Sequence, residues 1–187
     1  ERNDMPEEFI VKHCAPTLAG MKTGNLFTCA YESEDEIRKD VRLLNRMLVP
    51  KGLRILPLSC AKHRALIYLY RPARLKQDLM NCRACALLKS RGYPCENPER
   101  CIVQLADKLR SCPEFPHEIG LFLGYPPEDV LGFIQNKADH YKYSGYWKVY
   151  GDEKKAQKLF AKYKKCTDVY YTQWSKGIPI ERLTVAV

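Results

Sequence analysis

The stretch LRILPLSCAKHRALIYLYRP, residues 53–72, predicts the centre of the fold. Its halves LRILPLS and RALIYLYR are short runs of apolar and aromatic side chains, and the polar loop CAKH separates them. Such runs, bounded by polar residues, are typical of β-strands. Pro72 suits the first turn of a helix, because that position needs no backbone N–H. We therefore expect two strands followed directly by a helix.

Upstream of these strands, the sequence predicts a hairpin and a helix. TLAGM and NLFTCAY are joined by KTGN, whose Gly-Asn pair suits a tight turn. Ser33 can cap the helix, and Glu36 completes a capping box. The apolar positions of this helix recur at helical spacing and are Ile37, Val41, Leu44 and Leu48. Pro50 and Gly52 then end the helix.

Downstream of residue 72, helices dominate. We expect helices over about 73–91 and 98–111, broken by RGYPCENP, and a long helix over about 153–176. Strands are predicted at GYWKVY and at the chain end, IERLTVAV. Strands and helices thus mix without regular β-α alternation. The sequence predicts an α+β fold in a single domain, residues 1–187, with a mixed or mostly antiparallel sheet and packed helices.

The chain carries a formal charge of +9, and its C-terminal region is rich in lysine. The long helix has an apolar face that we expect to be buried, consisting of Ala156, Leu159, Phe160, Tyr163, Cys166, Tyr170 and Trp174. The lysines expected in solvent are Lys154, Lys155, Lys158, Lys162 and Lys165. Binding of nucleic acid or another polyanion by this lysine face is the alternative interpretation.

The segments PHEIGLFLG, YPP and EDVLGFIQN also scan as helix, turn and helix, an arrangement that some DNA-binding proteins share. The second helix, however, would begin with Glu128 and Asp129, and these carboxylates repel phosphate. We interpret both acids as favoured by the helix dipole and by capping. DNA binding through this helix is therefore not expected.

Nine cysteines cannot all pair within one chain, because the count is odd. The start ERNDMPEEFIVK is unlike a signal peptide, and no apolar run is long enough for a bilayer. We therefore expect a cytoplasmic protein that has reduced thiols and does not bind membranes. CRAC, residues 82–85, with Cys95 and Cys101 has irregular spacing, so no metal is expected. Cys82 and Cys112 fall on apolar helix faces and are expected to be buried.

The segment FPHEIGLFLGYP, residues 115–126, places His117 beside Glu118 at an expected helix start. The helix dipole disfavours a charged imidazole there, so a neutral one is expected. A neutral imidazole suits a general base for a thiol, and Cys14 in VKHCAPTLAG is the candidate nucleophile. A catalytic set of Cys14, His117 and Glu118 is therefore one hypothesis. Simple packing of these side chains is the other.

Four longer segments resemble an uncharacterised bacterial family known from anaerobic Firmicutes, domain of unknown function 3793. They are HCAPTLAGMKTGNLFTC, YLYRP, FPHEIGLFLGYPPEDVLGFI and SGYWKVYGDEKKAQKLFAKYKKCT. The resemblance covers about residues 10–186 and implies no activity, cofactor or fold. It implies that the characteristic family segments hold His13, Cys14, Lys22, Asn25, Arg71, His117, Glu118, Tyr146, Trp147 and Lys148.

We expect the segments HCAPTLAG, FPHEIG and GYWKVYG to line one cleft. Its ligand is expected to be small and anionic, because the helix start near Pro116 and cationic side chains favour negative charge. The residues expected to bind it are His13, Lys22, Asn25, Arg71, Tyr146, Trp147 and Lys148. Three functions stay open: binding of a small anion, a cysteine-nucleophile enzyme that uses the same cleft, and a nucleic-acid or polyanion-binding module. The cofactor, if any, stays unknown.

Overall fold

The computed structural model describes residues 7–187 of the chain. The expectation drawn from the acidic start ERNDMPEEFIVK rests in part on residues 1–6, which lie outside the described residues. No helix in the described part of the chain has both the length and the apolar character that a bilayer-spanning segment requires.

Helices and strands follow one another irregularly along residues 7–187. The helices are α1 (Glu7–Leu18), α2 (Glu34–Leu48), α3 (Pro72–Leu79), α4 (Cys82–Ser90), α5 (Pro98–Ser111), α6 (Ile119–Phe122), α7 (Pro127–Gln135), α8 (Glu153–Ser175) and α9 (Ile180–Leu183). The strands are β1 (Gly24–Ala30), β2 (Arg54–Ala61), β3 (Arg64–Tyr70), β4 (Tyr143–Ser144) and β5 (Lys148–Val149). The first three strands form one antiparallel sheet and the last two form another. The predicted α+β class is confirmed.

The described chain packs as two compact units. The first unit contains residues 7–73 and 163–187, and the second contains residues 74–162. The first holds the three-stranded sheet and the second holds the β4–β5 hairpin. The assignment of residues 1–187 to a single domain stays a prediction.

The strands expected within residues 53–72 form the hairpin at the centre of the first unit. β3 pairs with β2 on one side and with β1 on the other, in the order β1-β3-β2. The composition of β3 explains its central position, because consecutive residues Ile67, Tyr68 and Leu69 are all buried. Successive side chains of a strand point to opposite faces, so both faces of β3 are covered there.

The hairpin predicted for TLAGM and NLFTCAY is wrong. NLFTCAY forms most of β1, but TLAGM contains the end of α1 and the turn that follows it. Ile10, Cys14 and Leu18 recur at helical spacing and are buried in the core beneath the sheet residues. Gly20 follows the helix with a φ of +76°, which glycine adopts without strain. The chain therefore turns at the end of a helix, and Gly24 begins a strand.

The helix predicted after Ser33 is confirmed. The Ser33 hydroxyl accepts a hydrogen bond from the Glu36 backbone N–H at 3.3 Å, and the Glu36 carboxylate accepts one from the Ser33 N–H at 3.4 Å. Asn45 joins α2 to β2, because its amide donates to the Ile55 carbonyl at 2.8 Å and accepts from the Ile55 N–H at 3.0 Å. The helix is thus fixed at its start and against the sheet.

The helix expected over about 73–91 is two helices. α3 ends at Leu79, and the Asn81 side chain caps the start of α4. This break turns the buried face of α4 away from Cys82, which is exposed. Cys112 is also exposed, because it follows the last residue of α5. The predicted burial of Cys82 and Cys112 is therefore wrong.

The predicted long helix near the C-terminus is confirmed, whereas the last strand is not. α8 buries Ala156, Phe160 and Tyr163 and half-buries the other members of its apolar face. The five lysines expected in solvent are all exposed. The segment predicted as a final strand contains α9, because its buried residues Ile180 and Thr184 lie four positions apart, as on a helix. Within GYWKVY, only Lys148 and Val149 form a strand.

The two-residue loop of the β2–β3 hairpin provides a test of this topology. Ala61 pairs with Arg64, and the intervening Lys62 and His63 have φ angles of 49° and 57°. Two successive left-handed residues are the pattern of a type I′ turn, which favours Asn and Gly. We expect His63→Gly to raise the free energy of unfolding by about 0.5–1 kcal/mol in urea denaturation.

The control for this change is His63→Ala. It removes the imidazole beside the Tyr31 ring, whose centroid lies 6.1 Å away, but it keeps a Cβ in the left-handed conformation. We expect this control to give no increase in stability. An equal increase in both variants would contradict the assignment of the turn.

Candidate functional site

The second unit contains a pocket of about 270 Å³. Residues from the stretch 117–133 and from the β4–β5 hairpin line it. The rings of Phe133, Tyr146 and Trp147 lie in its wall, together with the polar groups of His117 and Lys148. Two of the three segments expected to share a cleft, FPHEIG and GYWKVYG, thus meet here. The third, HCAPTLAG, belongs to the first unit.

The carboxylate of Asp129 ties the hairpin to α7. Its Oδ1 accepts the backbone N–H groups of Tyr150 and Gly151, each at 2.8 Å, and its Oδ2 accepts the indole Nε1–H of Trp147 at 2.8 Å. Asp129 is only 3% exposed and lies in the first turn of α7, where negative charge is favoured. The sequence predicted this dipole role but not the hydrogen bonds to the hairpin. Asp129 therefore positions the pocket wall.

Close aromatic packing fixes Trp147 further. Its ring stacks on Tyr125 with centroids 4.4 Å apart and meets Phe160 edge-on at 4.5 Å. Burial raises the pKa of the Tyr125 hydroxyl to about 12. A Cβ at Gly145 would stand 2.4 Å from the Phe160 ring, so the hairpin can approach α8 this closely only with glycine there. The indole is thus held by packing as well as by hydrogen bonding.

Lys148 and His117 supply the basic side chains of the pocket. The Lys148 ammonium donates to the Ala138 carbonyl at 2.8 Å and lies 4.6 Å from the centre of the Tyr141 ring. The exposed His117 ring lies 4.9 Å from the Phe133 ring. Tyr146, another residue expected to bind the ligand, lines the same pocket and is 46% exposed. The structure thus brings His117, Tyr146, Trp147 and Lys148 together.

Glu118 belongs to a separate buried cluster. Its Oε1 accepts hydrogen bonds from the Tyr93 hydroxyl at 3.0 Å and from the Lys108 ammonium at 3.3 Å. Lys108 also donates to the Arg91 carbonyl at 2.8 Å and lies over the Tyr93 ring. Burial, and then the negative charge of Glu118, raise the pKa of the Tyr93 hydroxyl. Glu118 therefore braces the loop before α6, and its carboxylate is not among the groups that line the pocket.

Arg71 and Lys22, which were expected to bind an anion, are buried in the first unit. The Arg71 guanidinium donates to the carbonyls of Thr17 and Leu18 at the end of α1, at 2.8 and 2.9 Å, and to Val185 at 2.8 Å. The Lys22 ammonium donates to the Gly24 carbonyl. Both side chains therefore serve the internal structure of this unit.

Cys14 lacks the surroundings of a nucleophile. Its side chain is fully buried, and burial raises the pKa of the thiol, an effect that the nearby Lys22 only partly offsets. Reactive thiols need access and a lowered pKa. Cys14 and His117 also belong to different units. The catalytic set of Cys14, His117 and Glu118 stays a prediction that this geometry does not support.

The remaining candidates, His13 and Asn25, lie in the first unit. The His13 ring is exposed and stacks between Phe9 and Phe27, with centroids 6.0 and 6.2 Å away. Asn25 accepts a hydrogen bond through Oδ1 from the Thr17 hydroxyl at 2.6 Å. These contacts account for both side chains within the unit, and neither is among the residues that line the pocket of the second unit.

The expectation that no cysteines pair has to be corrected at one place. The Sγ atoms of Cys85 and Cys95 lie at disulfide distance, although the two residues are ten positions apart in the sequence. The loop before α5 folds back towards α4 there, which no local pattern indicates. Cys101 instead donates to the Pro94 carbonyl at 3.3 Å. Between residues 7 and 187, no three His, Cys, Asp or Glu side chains are grouped so that they could hold a metal ion.

The fold and the pocket define an α+β protein whose second unit has an aromatic pocket with a lysine and a histidine in its wall. The chain belongs to the family described as "Protein of unknown function (DUF3793)", which it matches over residues 10–184. This match confirms the family resemblance inferred from the four sequence segments. No curated protein and no solved structure matches the chain.

The hydrogen bond between Asp129 and Trp147 can be tested by a double-mutant cycle. In Asp129→Asn, the amide either loses its bonds to the hairpin backbone or turns its NH₂ group toward the indole N–H. We expect this change to reduce the free energy of unfolding by about 2–3 kcal/mol in urea denaturation. In the Trp147→Phe background, where the donor is absent, the same change should cost about 1–2 kcal/mol less.

Asp139→Asn is the matched control for this cycle, because Asp139 is an exposed acid of the same unit. It should change stability by less than about 0.5 kcal/mol in either background. Equal costs of Asp129→Asn with and without the indole would show that the two side chains do not interact as described.

Lys22 provides a test of the first unit that depends on pH. Burial lowers the pKa of its ammonium to about 7, an effect that Cys14 partly opposes. The unfolded chain, in which a lysine titrates near about 10.4, therefore binds the proton more tightly. Protonation thus favours unfolding as the pH falls from about 10 to about 7. We expect Lys22→Met to raise the free energy of unfolding by about 1–4 kcal/mol near neutral pH.

This gain should shrink as the pH approaches about 10, because the wild-type lysine then loses its proton in the unfolded chain as well as in the folded state. The measurement is urea denaturation at several pH values, with Lys39→Met as the control, since Lys39 is exposed on α2. The control should show little gain and no such trend. A gain for Lys22→Met that is constant with pH would contradict the buried position of the ammonium.

Proposed function

We propose that the pocket of the second unit binds a small, flat organic anion. The observation that carries this proposal is the presence of Lys148 and His117 in a pocket whose other walls are mainly aromatic and apolar. Pockets of this kind bind ligands through apolar contact, and a few polar groups set the orientation. The proposal keeps the small anionic ligand expected from the sequence and takes its site from the second unit alone.

The aromatic walls support a flat ligand. Trp147 is held in place by Asp129 and by its contacts with Tyr125 and Phe160, so this part of the wall is formed before any ligand binds. Phe133 is half-buried and lines the pocket beside His117. Rings gain most from other rings when they stack or meet edge to face. A planar ring system therefore makes better use of these walls than a flexible chain.

The charges of the pocket support an anion. An ammonium has three N–H donors, and the Ala138 carbonyl accepts one bond from the Lys148 ammonium. The two remaining donors can bind the oxygens of a carboxylate, sulfonate or phosphate. The one buried carboxylate that lines the pocket, Asp129, accepts three hydrogen bonds from the hairpin. Its charge is thus offset locally, and Lys148 determines which charge the ligand should bear.

Three probes of nearly equal shape test the sign of that charge: benzoate, benzamide and benzamidine, which are negative, neutral and positive. Their affinities can be measured by ligand-observed saturation-transfer NMR on the full chain. We expect benzoate to bind most tightly and benzamidine most weakly. Lys148→Met removes the positive charge and should lower the affinity for benzoate about 5- to 10-fold, the effect of one charge-assisted hydrogen bond. The same variant should change the affinity for benzamide by less than about twofold.

Lys142→Met is the matched control, because Lys142 lies just before β4, is exposed and does not line the pocket. It should leave the affinity for all three probes unchanged. Benzamidine binding as tight as benzoate binding would contradict the proposal. So would benzoate binding that Lys148→Met leaves unaltered.

A further inference from the structure

We propose that the pocket is part of a longer surface that binds single-stranded nucleic acid. This inference rests on the proposed function and specifies its ligand: the flat anion is a nucleotide unit within a strand. The surface is a row of five neighbouring groups, here called the ring row. Its members are Phe115, His117, Phe133, Lys148 and Tyr141.

The ring row is continuous. The Phe115 and His117 centroids lie 5.5 Å apart, and those of His117 and Phe133 lie 4.9 Å apart. The Lys148 ammonium then lies 6.0 Å from the centre of the Phe133 ring and 4.6 Å from that of Tyr141. His117, Phe133 and Lys148 line the pocket, whereas Phe115 and Tyr141 extend the row beyond it. A ligand that uses the whole row must be longer than one that fits the pocket.

The two outer rings of the row are exposed to solvent. Phe115 is 50% exposed and Tyr141 is 42% exposed. Clustered exposed apolar side chains mark binding sites more often than single ones do. Bases stack on aromatic side chains regardless of their sequence, and nearby cations bind the phosphates of the same strand. Rings that flank a lysine provide both kinds of contact in one line.

The loop that carries Tyr141 has an uncommon backbone. Lys137, Ala138 and His140 have φ angles of 48°, 67° and 59°, in the left-handed region that residues with a Cβ seldom adopt. The Ala138 N–H donates to the Phe133 carbonyl at 3.0 Å, and the Ala138 carbonyl accepts the Lys148 ammonium. Such strained conformations concentrate at functional sites. Here Ala138 of the loop is hydrogen-bonded to Phe133 and to Lys148, and the same loop carries Tyr141. The loop thus links three members of the ring row.

The charge of this region favours an anionic strand over a basic or a neutral partner of comparable length. Between residues 136 and 149 there are three lysines, one histidine and a single acidic residue, Asp139. A surface of rings with scattered cations matches the grooves that track single strands. The lysine face of α8, residues 154–165, offers positive charge without exposed rings, since Phe160 and Tyr163 in that stretch are buried. Positive charge alone therefore does not decide whether the ring row or α8 binds a strand. Base stacking does, because exposed rings lie on the ring row.

The experiment compares two fluorescein-labelled strands of about twelve units by fluorescence anisotropy with the full chain. One is oligothymidylate and the other is an abasic strand with the same phosphates. We expect the abasic strand to bind at least about tenfold more weakly, because each stacked base contributes substantially to affinity. Phe115→Ala and Tyr141→Ala should each lower the affinity for oligothymidylate at least about fivefold and should hardly change the affinity for the abasic strand. Lys148→Gln should reduce the slope of log affinity against log salt concentration by about 0.7.

Two variants serve as controls. Tyr171→Ala removes an exposed ring of the first unit, and we expect it to leave oligothymidylate binding unchanged. The triple change Lys154→Gln, Lys158→Gln and Lys162→Gln neutralises part of the lysine face of α8. It should weaken both strands equally and by less than the ring variants weaken oligothymidylate. Circular dichroism of every variant separates loss of binding from loss of folding.

The outcomes separate this inference from the proposed function. Benzoate binding that depends on Lys148, without any binding of oligothymidylate, would overturn the nucleic-acid inference and leave the proposed function standing. Equal binding of the two strands, lost in the triple variant and kept in the ring variants, would place polyanion binding on α8 and overturn the ring row. Failure of benzoate and of both strands would overturn the inference together with the proposed function.

Discussion

The pocket depends on a single buried carboxylate. Asp129 accepts three hydrogen bonds from the segment 147–151, whose own strand pairing is short, since β4 and β5 pair over only two residues each. A two-stranded ribbon this short is not stable alone. The carboxylate thus converts a weak hairpin into a fixed wall, with Trp147 and Lys148 in defined positions. The proposed ligand and the ring row both rely on that wall.

In the first unit, a buried cation rather than a buried carboxylate holds separate segments of the chain together. Arg71 binds the carbonyls at the end of α1 and of Val185, so that its guanidinium joins parts of the chain that lie far apart in sequence. A helix C-terminus has unsatisfied carbonyls and partial negative charge, which a buried guanidinium satisfies. Arg71 and Lys22, which the sequence suggests as ligands of a small anion, therefore have structural roles here. In the other unit, Lys148 is the lysine that lines the pocket.

Local signals were sufficient for much of the fold and for part of the site. The strands within residues 53–72 and the capping box at Ser33 follow from composition and short-range spacing, and the buried face of α8 follows from its period. The sequence does not say which of two nearby glycines turns the chain: the Gly24-Asn25 pair predicts the turn, whereas Gly20 makes it and Gly24 begins β1. Short-range spacing predicts only the helix-dipole role of Asp129, because its hydrogen-bond partners lie 18 to 22 positions further along the chain. Burial of Lys22 and Arg71 likewise depends on contacts that only the folded chain creates.

Hydrogen exchange of the Trp147 indole tests the central claim most directly. If the Asp129 carboxylate holds the hairpin, the indole N–H of Trp147 and the amides of Tyr150 and Gly151 should exchange slowly in NMR spectra of the wild type. All three should exchange much faster in Asp129→Ala, while the indole of Trp174, which donates to Glu7 in the first unit, stays unchanged as an internal reference. Exchange of the Trp147 indole at the rate of an exposed tryptophan in the wild type, or at the same slow rate in the variant, would contradict the account.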